Sequence, residues 1–550
     1  MRLFLFSFLS VFCIQTGYTQ ILILSDSVNH EIINEDVYFV HHTILGKNVS
    51  NTTDTKYEFV VKGDDYTSIT GRIGKKKIKP ENLTISDIHH GFYSGIKYVS
   101  VIIPPETSFE IYYTRKEPGS VFFSSISKDN RYPTLQHKIA IKIPPSWKLT
   151  QRDSSLQLLE QNSFISLKNI DALADSIQYP IIVHPYEYSP NDFFNDWFFT
   201  RIEQLNLQNP WVPEKNLTGT SPEETTINCL DFVTQKIKYI DIEDGIGAVI
   251  PFSCPVTMRR LAGDCKDMAN VLTNLLRSYG IEAYNAISRT NAKKEVFDFP
   301  SISLANHMIT VAVINNQYYF LDPTEDHCTF GLPSLQTIDT DAFILNEDSG
   351  EFTVVPSTPA NLNSIELTWS LNEDYSRATF QAILTGKAND FFRTILYSAD
   401  YKKQKQLVEY WLKKVIESDL TLSFPKDSTV ISFTELITEN QKIRTSKDLI
   451  IKHPLFGNFQ AINDLFISEN QYLFPLTFTI SLRVPSLEKE QDSIPTLWEY
   501  ESDEQTAFSS IAQQKTLKWS SSGIVFPEES ELQKQFDTYY KRFIITKSEQ

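Results

Sequence analysis

The sequence predicts an α+β fold: a helix-bearing middle region between two β-rich flanks. Three observations carry this. Short runs of alternating apolar and polar residues, punctuated by Asn, Asp, Gly and Pro, fill the first part of the chain and return in the last. Apolar residues at three-to-four spacing appear from Asp192 onward. Between them, a helical run through Met268, Val271, Leu272, Leu275 and Leu276 leads into consecutive strand patterns. A chain of 550 residues exceeds one ordinary core. It divides into a signal peptide at 1–19, an N-terminal antiparallel β-sandwich at 20–188, a core domain at 189–357 and a C-terminal β-rich domain with helices at 358–550.

In the first flank the strand runs include 36–43, 57–61, 98–103 and 139–143. Several short strands at this spacing suggest a sandwich. No titratable cluster there looks catalytic, so a packing role outweighs a binding one.

The middle region opens with a stripe of Phe193, Phe194, Trp197, Phe198 and Ile202, which reads as core. Ser221-Pro222-Glu223-Glu224 starts a second helix, with Ser as cap, Pro in the first turn and Glu224 completing a capping box. That helix runs to about Lys236. A third helix follows Gly263-Asp264-Cys265-Lys266-Asp267, and Gly280 is its natural stop. Strands are expected at 281–288, 307–314 and 317–322, with a turn at Asn315-Asn316. The polar stretch 289–306 is long enough to be a lid. In the last region strands are expected at 364–370 and 377–384, an amphipathic helix at 401–418 and a final helix at about 528–543.

Composition narrows the function. Acidic residues outnumber basic ones by 68 to 51, a formal net charge of −17, which repels phosphate backbones and argues against nucleic acid as a partner. Arg2, the apolar run 3–14 and the small-x-small site Gly17-Tyr18-Thr19 read as a cleaved export signal. The run is too short to span a bilayer, which takes roughly 20 apolar residues. The expected setting is periplasmic or extracellular, with no integral span. Cleavage removes Cys13 and leaves Cys229, Cys254, Cys265 and Cys328. Two disulfides are one reading in an oxidising compartment; a Cys229–Cys254 bridge with Cys265 free is another.

A thiol nucleophile needs an environment that favours thiolate, a base within reach and a group that holds the base. Cys265 sits at a helix start, where unsatisfied N–H groups and the positive dipole end favour the anion, and Lys266 adds to this. Its own N–H is a candidate oxyanion donor. His307 opens a strand and Asp322 ends that strand's hairpin partner. If Asn315-Asn316 is a two-residue loop, Ile314 pairs with Gln317 and Asp322 falls opposite Ile309. His307 and Asp322 are then diagonal neighbours on one face, about 7–8 Å apart along the backbone and within side-chain reach. A three-residue loop would reverse the parity.

Gly263-Asp264-Cys265-Lys266-Asp267 followed by the Leu-Leu-Arg-x-x-Gly-Ile-x-Ala run at 275–283 resembles the nucleophile motif of bacterial transglutaminase-like proteins. Asn306-His307-Met308-Ile309 and Tyr319-Phe320-Leu321-Asp322-Pro323-Thr324 resemble that family's His and Asp motifs in the same order, and Gly331-Leu332-Pro333 resembles the segment downstream of those motifs. The resemblance covers about 222–333 and implies a papain-like α+β core with Cys265, His307 and Asp322 as nucleophile, base and orienter. Tyr239 is the candidate side-chain oxyanion donor and Asp264 a supporting residue. Residues 31–185 are similar, more weakly, to a β-domain that accompanies such cores in secreted bacterial proteins.

The resemblance implies acyl transfer at amide or peptide bonds through a thioester, needing no cofactor. Water as acceptor gives a peptidase or amidase and an amine gives a cross-linking transferase; hydrolysis is the default outside the cell. Protein or peptide substrates are expected, cell-wall peptides among them. The alternative is a non-enzymatic binding or scaffold protein that keeps the fold. A metal site built from Cys265, His307, Asp322, His327 and Cys328 matches no common zinc spacing.

Overall fold

The computed structural model describes residues 20–451 except 63–65, 88–95, 119–131, 153–156, 162–163, 169–180, 212, 214, 243–246, 248, 291–296, 303, 328, 357–361, 375, 413–414, 426, 439–441 and 445–447. Beyond 451 it describes the strands at 467–468, 471–472, 477–483, 504–511, 514–521 and 545–548. The expected signal peptide, Cys13, Cys328 and the helix expected at about 528–543 lie outside the described residues. The fold is mixed α+β with several separate sheets. The chain forms two compact units, Met1–Thr324 with Thr340–Val355, and Glu325–Asp339 with Pro356–Gln550.

The first unit begins with a hairpin of Ile21–Asn34 and Val37–Asn48. Its tight turn is closed by the Asn34 side chain, which accepts from the backbone N–H groups of Asp36 and Val37, each at 2.9 Å. Strand residues alternate in facing, so one face carries Ile21, Ile23 and Ile44. These share a buried cluster with Tyr57, Phe59 and Val61 of one neighbouring strand and Val99, Val101 and Ile103 of another. The hairpin belongs to an eight-stranded sheet and the two other strands to a three-stranded one. The all-antiparallel expectation needs correcting at one place: residues 26–31 pair in parallel with His137–Lys142. Strands so far apart in sequence give no local sign of their relative direction.

Helices come next. α1 (Pro190–Gln208) is capped by Ser189, whose hydroxyl accepts from the Asp192 N–H at 3.1 Å. It buries Phe193, Phe194, Trp197, Phe198 and Ile202, the stripe visible in the sequence. α2 (Pro222–Lys236) takes its cap from Ser221, but the Glu224 carboxylate reaches past it to the Thr220 N–H at 2.6 Å, so the expected reciprocal box is not made. α3 (Cys254–Arg260) is seven residues long, too short to show a period. α4 (Cys265–Ser278) is the central helix. Its C-terminus closes in a Schellman motif: Ile281 N–H bonds to Leu276 C=O at 3.1 Å and Gly280 N–H to Arg277 C=O at 3.0 Å, with Gly280 at φ +76°.

α4 packs on a five-stranded antiparallel sheet ordered Gln317–Leu321, His307–Ile314, Glu282–Ser288, Asp341–Ile344, Glu351–Val354. Its inner face buries Met268, Ala269, Val271, Leu272, Leu275 and Leu276. Thr310 of the sheet donates to the Ala269 carbonyl at 3.0 Å, which pins the helix in register with the strand. The stretch expected as a lid is packed where it is described: Phe297, Ser301 and Leu304 are buried, and Arg289 donates to the Leu304 carbonyl at 2.7 Å. Apolar residues inside a polar stretch are the sequence sign of this packing.

The second unit holds a seven-stranded sheet in which Arg377–Thr385 and Ser364–Leu371 are central. α5 (Gly386–Leu396) and α6 (Tyr401–Leu412) share with it a core that includes Trp369, Phe380, Phe392 and Trp411. The helix expected at 401–418 stops at Leu412; Ile416 and Leu420 stay in the core from non-helical chain, so the apolar spacing outlasts the helix. A fully buried Lys387 is ion-paired to Asp390 at 3.1 Å and Glu325 at 3.6 Å. Among the described residues no helix is long and apolar enough to cross a membrane.

Candidate functional site

Two short segments set the position of Cys265. Lys238–Tyr239 pairs in parallel with Ala262–Gly263, and the Ile240 N–H donates to the Gly263 carbonyl at 2.9 Å. Gly263 then meets the helix so closely that a Cβ there would lie 2.6 Å from the Asp267 Cβ, so only glycine fits. Asp264 is the N-cap, and with Asp267 it forms a reciprocal box: Asp264 N–H to Asp267 Oδ2 at 3.1 Å and Asp267 N–H to Asp264 Oδ1 at 3.3 Å. Asp267 also accepts the Phe252 N–H at 2.7 Å. Burial pushes both carboxyls above their usual pKa, although Lys266 beside them pulls the other way. Lys266 is itself buried and ion-paired to Asp264. Asp264 thus holds the helix start and neutralises the lysine, and its side chain is taken up in both tasks.

Cys265 is the first residue of α4, a free thiol, partly exposed. Its place puts the sulfur at the N-terminal, positive end of the dipole of a 14-residue helix.

The hairpin brings the other two residues. Asn315 and Asn316 have φ of +53° and +61°, the left-handed pair of a two-residue turn that Asn tolerates. Ile314 pairs with Gln317 and Thr310 with Leu321. Continued by one step, this register puts Asp322 opposite Ile309 and diagonal to His307. His307 Nε2 lies 2.8 Å from Asp322 Oδ2, with both residues buried. The second Asp322 oxygen is held by Thr324, from its N–H at 3.0 Å and its hydroxyl at 2.7 Å. Burial favours the neutral imidazole, but the charge and hydrogen bond of Asp322, joined by a hydrogen bond to Cys265, win and raise the His307 pKa well above the ordinary value. Burial likewise pushes the Asp322 carboxyl up, and His307 and Thr324 more than reverse it, leaving its pKa low. With Nε2 committed to Asp322, Nδ1 is the nitrogen left for the thiol.

Tyr239 is part of the same neighbourhood. Its backbone pairs with Gly263, and its phenol is raised in pKa first by burial and then by the negative charges of Cys265, Asp241, Asp264 and Asp322. The residue remains 44% exposed, enough to meet a ligand. The sequence singled out Asp322 but not its clamp: Thr324 was readable only as part of an Asp-Pro-Thr turn. Asp241, whose charge acts on Tyr239, was missed entirely, because the parallel pairing beside it joins two-residue strands with no pattern of their own.

The remaining candidates stand apart. Cys229 and Cys254 are buried free thiols with pKa pushed up to about 12 by burial, so the suggested bridge between them is not formed. His327 packs edge-on against Tyr397 in the second unit. Among the described residues no group of three or more His, Cys, Asp or Glu side chains is arranged to hold a metal.

No family model and no curated protein matches the chain. Among solved structures, it is similar to a putative protease from Parabacteroides distasonis over 97% of this chain and 100% of that one, at 8% identity and a TM-score of 0.50. Partial likenesses are to a putative nutrient binding protein from Legionella pneumophila (41% of this chain, 83% of that one, 8% identity, TM-score 0.23) and to a putative cysteine protease from Cytophaga hutchinsonii (53%, 78%, 13% and 0.15). The first of these shows a shared fold along nearly the whole chain.

Proposed function

We propose that this protein is a cysteine-dependent amidase or peptidase with a transglutaminase-like, papain-like core. The observation that carries the reading is the buried His307, bonded to Asp322 at 2.8 Å, with its pKa raised by Asp322 and by the neighbouring Cys265, a partly exposed thiol at a helix start. A raised imidazole pKa beside a helix N-terminus favours the thiolate–imidazolium pair that such chemistry uses. Sulfur attacks the carbonyl carbon, and the charge that develops on oxygen is met by the Cys265 N–H and the Tyr239 hydroxyl. The C–N bond then breaks as His307 gives its proton to the departing amine, leaving a thioester. Water, deprotonated by His307, attacks the thioester and restores the thiol. Asp322 keeps the imidazole in the needed tautomer and stabilises its charge. The apolar leader supports action outside the cytoplasm, on protein or peptide substrates. The Parabacteroides protein of the same fold is itself named a putative protease, which accords with hydrolysis.

A free and accessible Cys265 counts against the scaffold alternative, which needs it bridged or buried. The test is labelling with an electrophilic peptide ketone, the adduct mapped by mass spectrometry. A single adduct on Cys265 is expected; an adduct only on Cys229, Cys254 or Cys328, or none, would overturn the assignment.

A further inference from the structure

The peptide that leads into the nucleophile is held at both ends. The Gly263 carbonyl accepts the Ile240 N–H at 2.9 Å, and the Asp264 N–H donates to Asp267 Oδ2 at 3.1 Å. The next peptide is fixed through its carbonyl, since the Asp264 C=O accepts the Met268 N–H at 3.0 Å. A trans peptide is planar, so the Cys265 N–H points opposite to that carbonyl, back out of the helix start. The Asp264–Asp267 box takes up the N–H groups of those two residues and leaves the Cys265 N–H to the site. Asp267 has a second grip. Its Oδ1 accepts the Phe252 N–H at 2.7 Å, and the Phe252 carbonyl accepts from Asn270 Nδ2 at 3.4 Å. Asn270 is fully buried and pairs amide to amide with Asn206 of α1, at 2.9 and 3.1 Å. Asp267 is buried too, and Gly263 lets it come so close: a Cβ there would lie 2.9 Å from Oδ2.

We propose that Asp267 is a positioning residue for carbonyl activation: its two oxygens tie the turn before Cys265 to the Phe252 segment and keep the Cys265 N–H aimed at the oxygen that gains charge. The proposal rests on Cys265 being the nucleophile. Two N–H groups from separate segments need two acceptor oxygens, which a carboxylate has and an amide has not. A donor held in place in advance stabilises the oxyanion without having to move as the charge develops.

The experiment follows two reactions of Cys265 in the full chain, each adduct mapped by mass spectrometry. Iodoacetamide alkylates the thiolate at a saturated carbon with loss of iodide, and no oxyanion forms. With p-nitrophenyl acetate the sulfur adds to the carbonyl, charge builds on its oxygen, and p-nitrophenolate leaves a thioester. Both reactions use the same thiolate, so the ratio of acylation to alkylation rates cancels thiolate content and reports carbonyl activation. Asp267→Asn keeps one acceptor oxygen and turns an NH2 against the other N–H. It should lower the ratio about tenfold, less than the loss of a whole oxyanion donor. Gly263→Ala, whose Cβ displaces the Asp267 side chain, should lower it in the same way. A ratio unchanged in Asp267→Asn, whether both rates hold or both fall, would overturn the positioning role and leave the nucleophile standing. Should neither variant fold, hydrogen exchange of the parent decides: slow exchange at the Asp264 and Phe252 amides supports the clasp, and exchange as fast as at exposed amides overturns it. If neither reagent modifies Cys265, the enzymatic reading falls and this one with it.

Discussion

Two imidazole–carboxylate arrangements, one part-buried in the N-terminal sheet and one buried in the core, stand out among the described residues, and they differ in one respect. In the N-terminal sheet, Asp26 accepts from His42 Nε2 at 2.5 Å and lies 3.6 Å from His137 Nδ1, and the Tyr113 hydroxyl bonds to the other nitrogen of His42. His137, His42 and their charges overcome burial and hold the Asp26 pKa far below the carboxylate range. Nearby His30 is so buried, with Arg115 beside it, that its pKa falls to about 3. In the core, His307 and Asp322 form an even more deeply buried pair. The core pair has a thiol at a helix start beside it; Cys229, Cys254 and Cys265 all lie outside the N-terminal sheet. A buried His–Asp pair is therefore no site by itself. The nucleophile's surroundings make the difference.

The sharpest way to break this contrast is Cys265→Ala. Probe labelling should vanish, with stability changed by less than about 1 kcal/mol because few packing atoms are lost; chemical denaturation beside mass spectrometry checks both. Next come the two carboxylates. Asp322→Asn should slow labelling by roughly 10²–10⁴-fold through the wrong imidazole tautomer. Asp26→Asn should leave the labelling rate as it was and cost stability by about 3 kcal/mol, since it leaves buried imidazoles without their charge. Equal effects of the two on labelling would erase the distinction.

Acidification separates the regions more gently. The depressed pKa of His30 gives stability that is complete above the unfolded value near 6.5 and lost as pH drops toward about 3. The raised His307 gives stability that is complete below about 6.5 and lost only as pH climbs through its higher folded value. The low pKa values of Asp26 and Asp322 keep their contributions intact above about 4. Between pH 6.5 and 4, then, hydrogen exchange should accelerate in the strands 21–34 and 37–48 and hold steady in 307–314. Faster exchange at both would contradict the assignment of charges. The smallest effect is Gly280→Ala, about 1 kcal/mol, from forcing a side chain into φ +76°.

What the sequence disclosed depends on range. The hairpin at 307–322 was legible because a two-residue Asn-Asn turn fixes parity and the side-chain period is two. α4 was legible because Asp264 and Gly280 mark both ends. The Asp26 cluster was not: Asp26 and His42 share a hairpin whose register shifts between Ile32 and Asn34, so the turn does not fix their parity, and His137 joins only through a parallel pairing far along the chain. Asp241 escaped for the same reason on a smaller scale. Thr324 looked like a turn residue, and it is one; its second role depends on where the Asp322 carboxylate points.

The double capping of α4 also has a kinetic side. Its start is closed by Asp264 and Asp267 and its end by Gly280, all within the helix or next to it, so the helix can nucleate from local contacts alone. His307 arrives only when strands well downstream have paired, a slower and less local event. During refolding the thiol is therefore set at its helix start before any imidazole stands beside it. Gly280→Ala should slow the folding limb of a chevron, whereas changes at Asn315 or Asn316 should mainly quicken unfolding. In that interval Cys265 meets oxidants without its partner, and a reductant should raise refolding yield more for the parent than for Cys265→Ala.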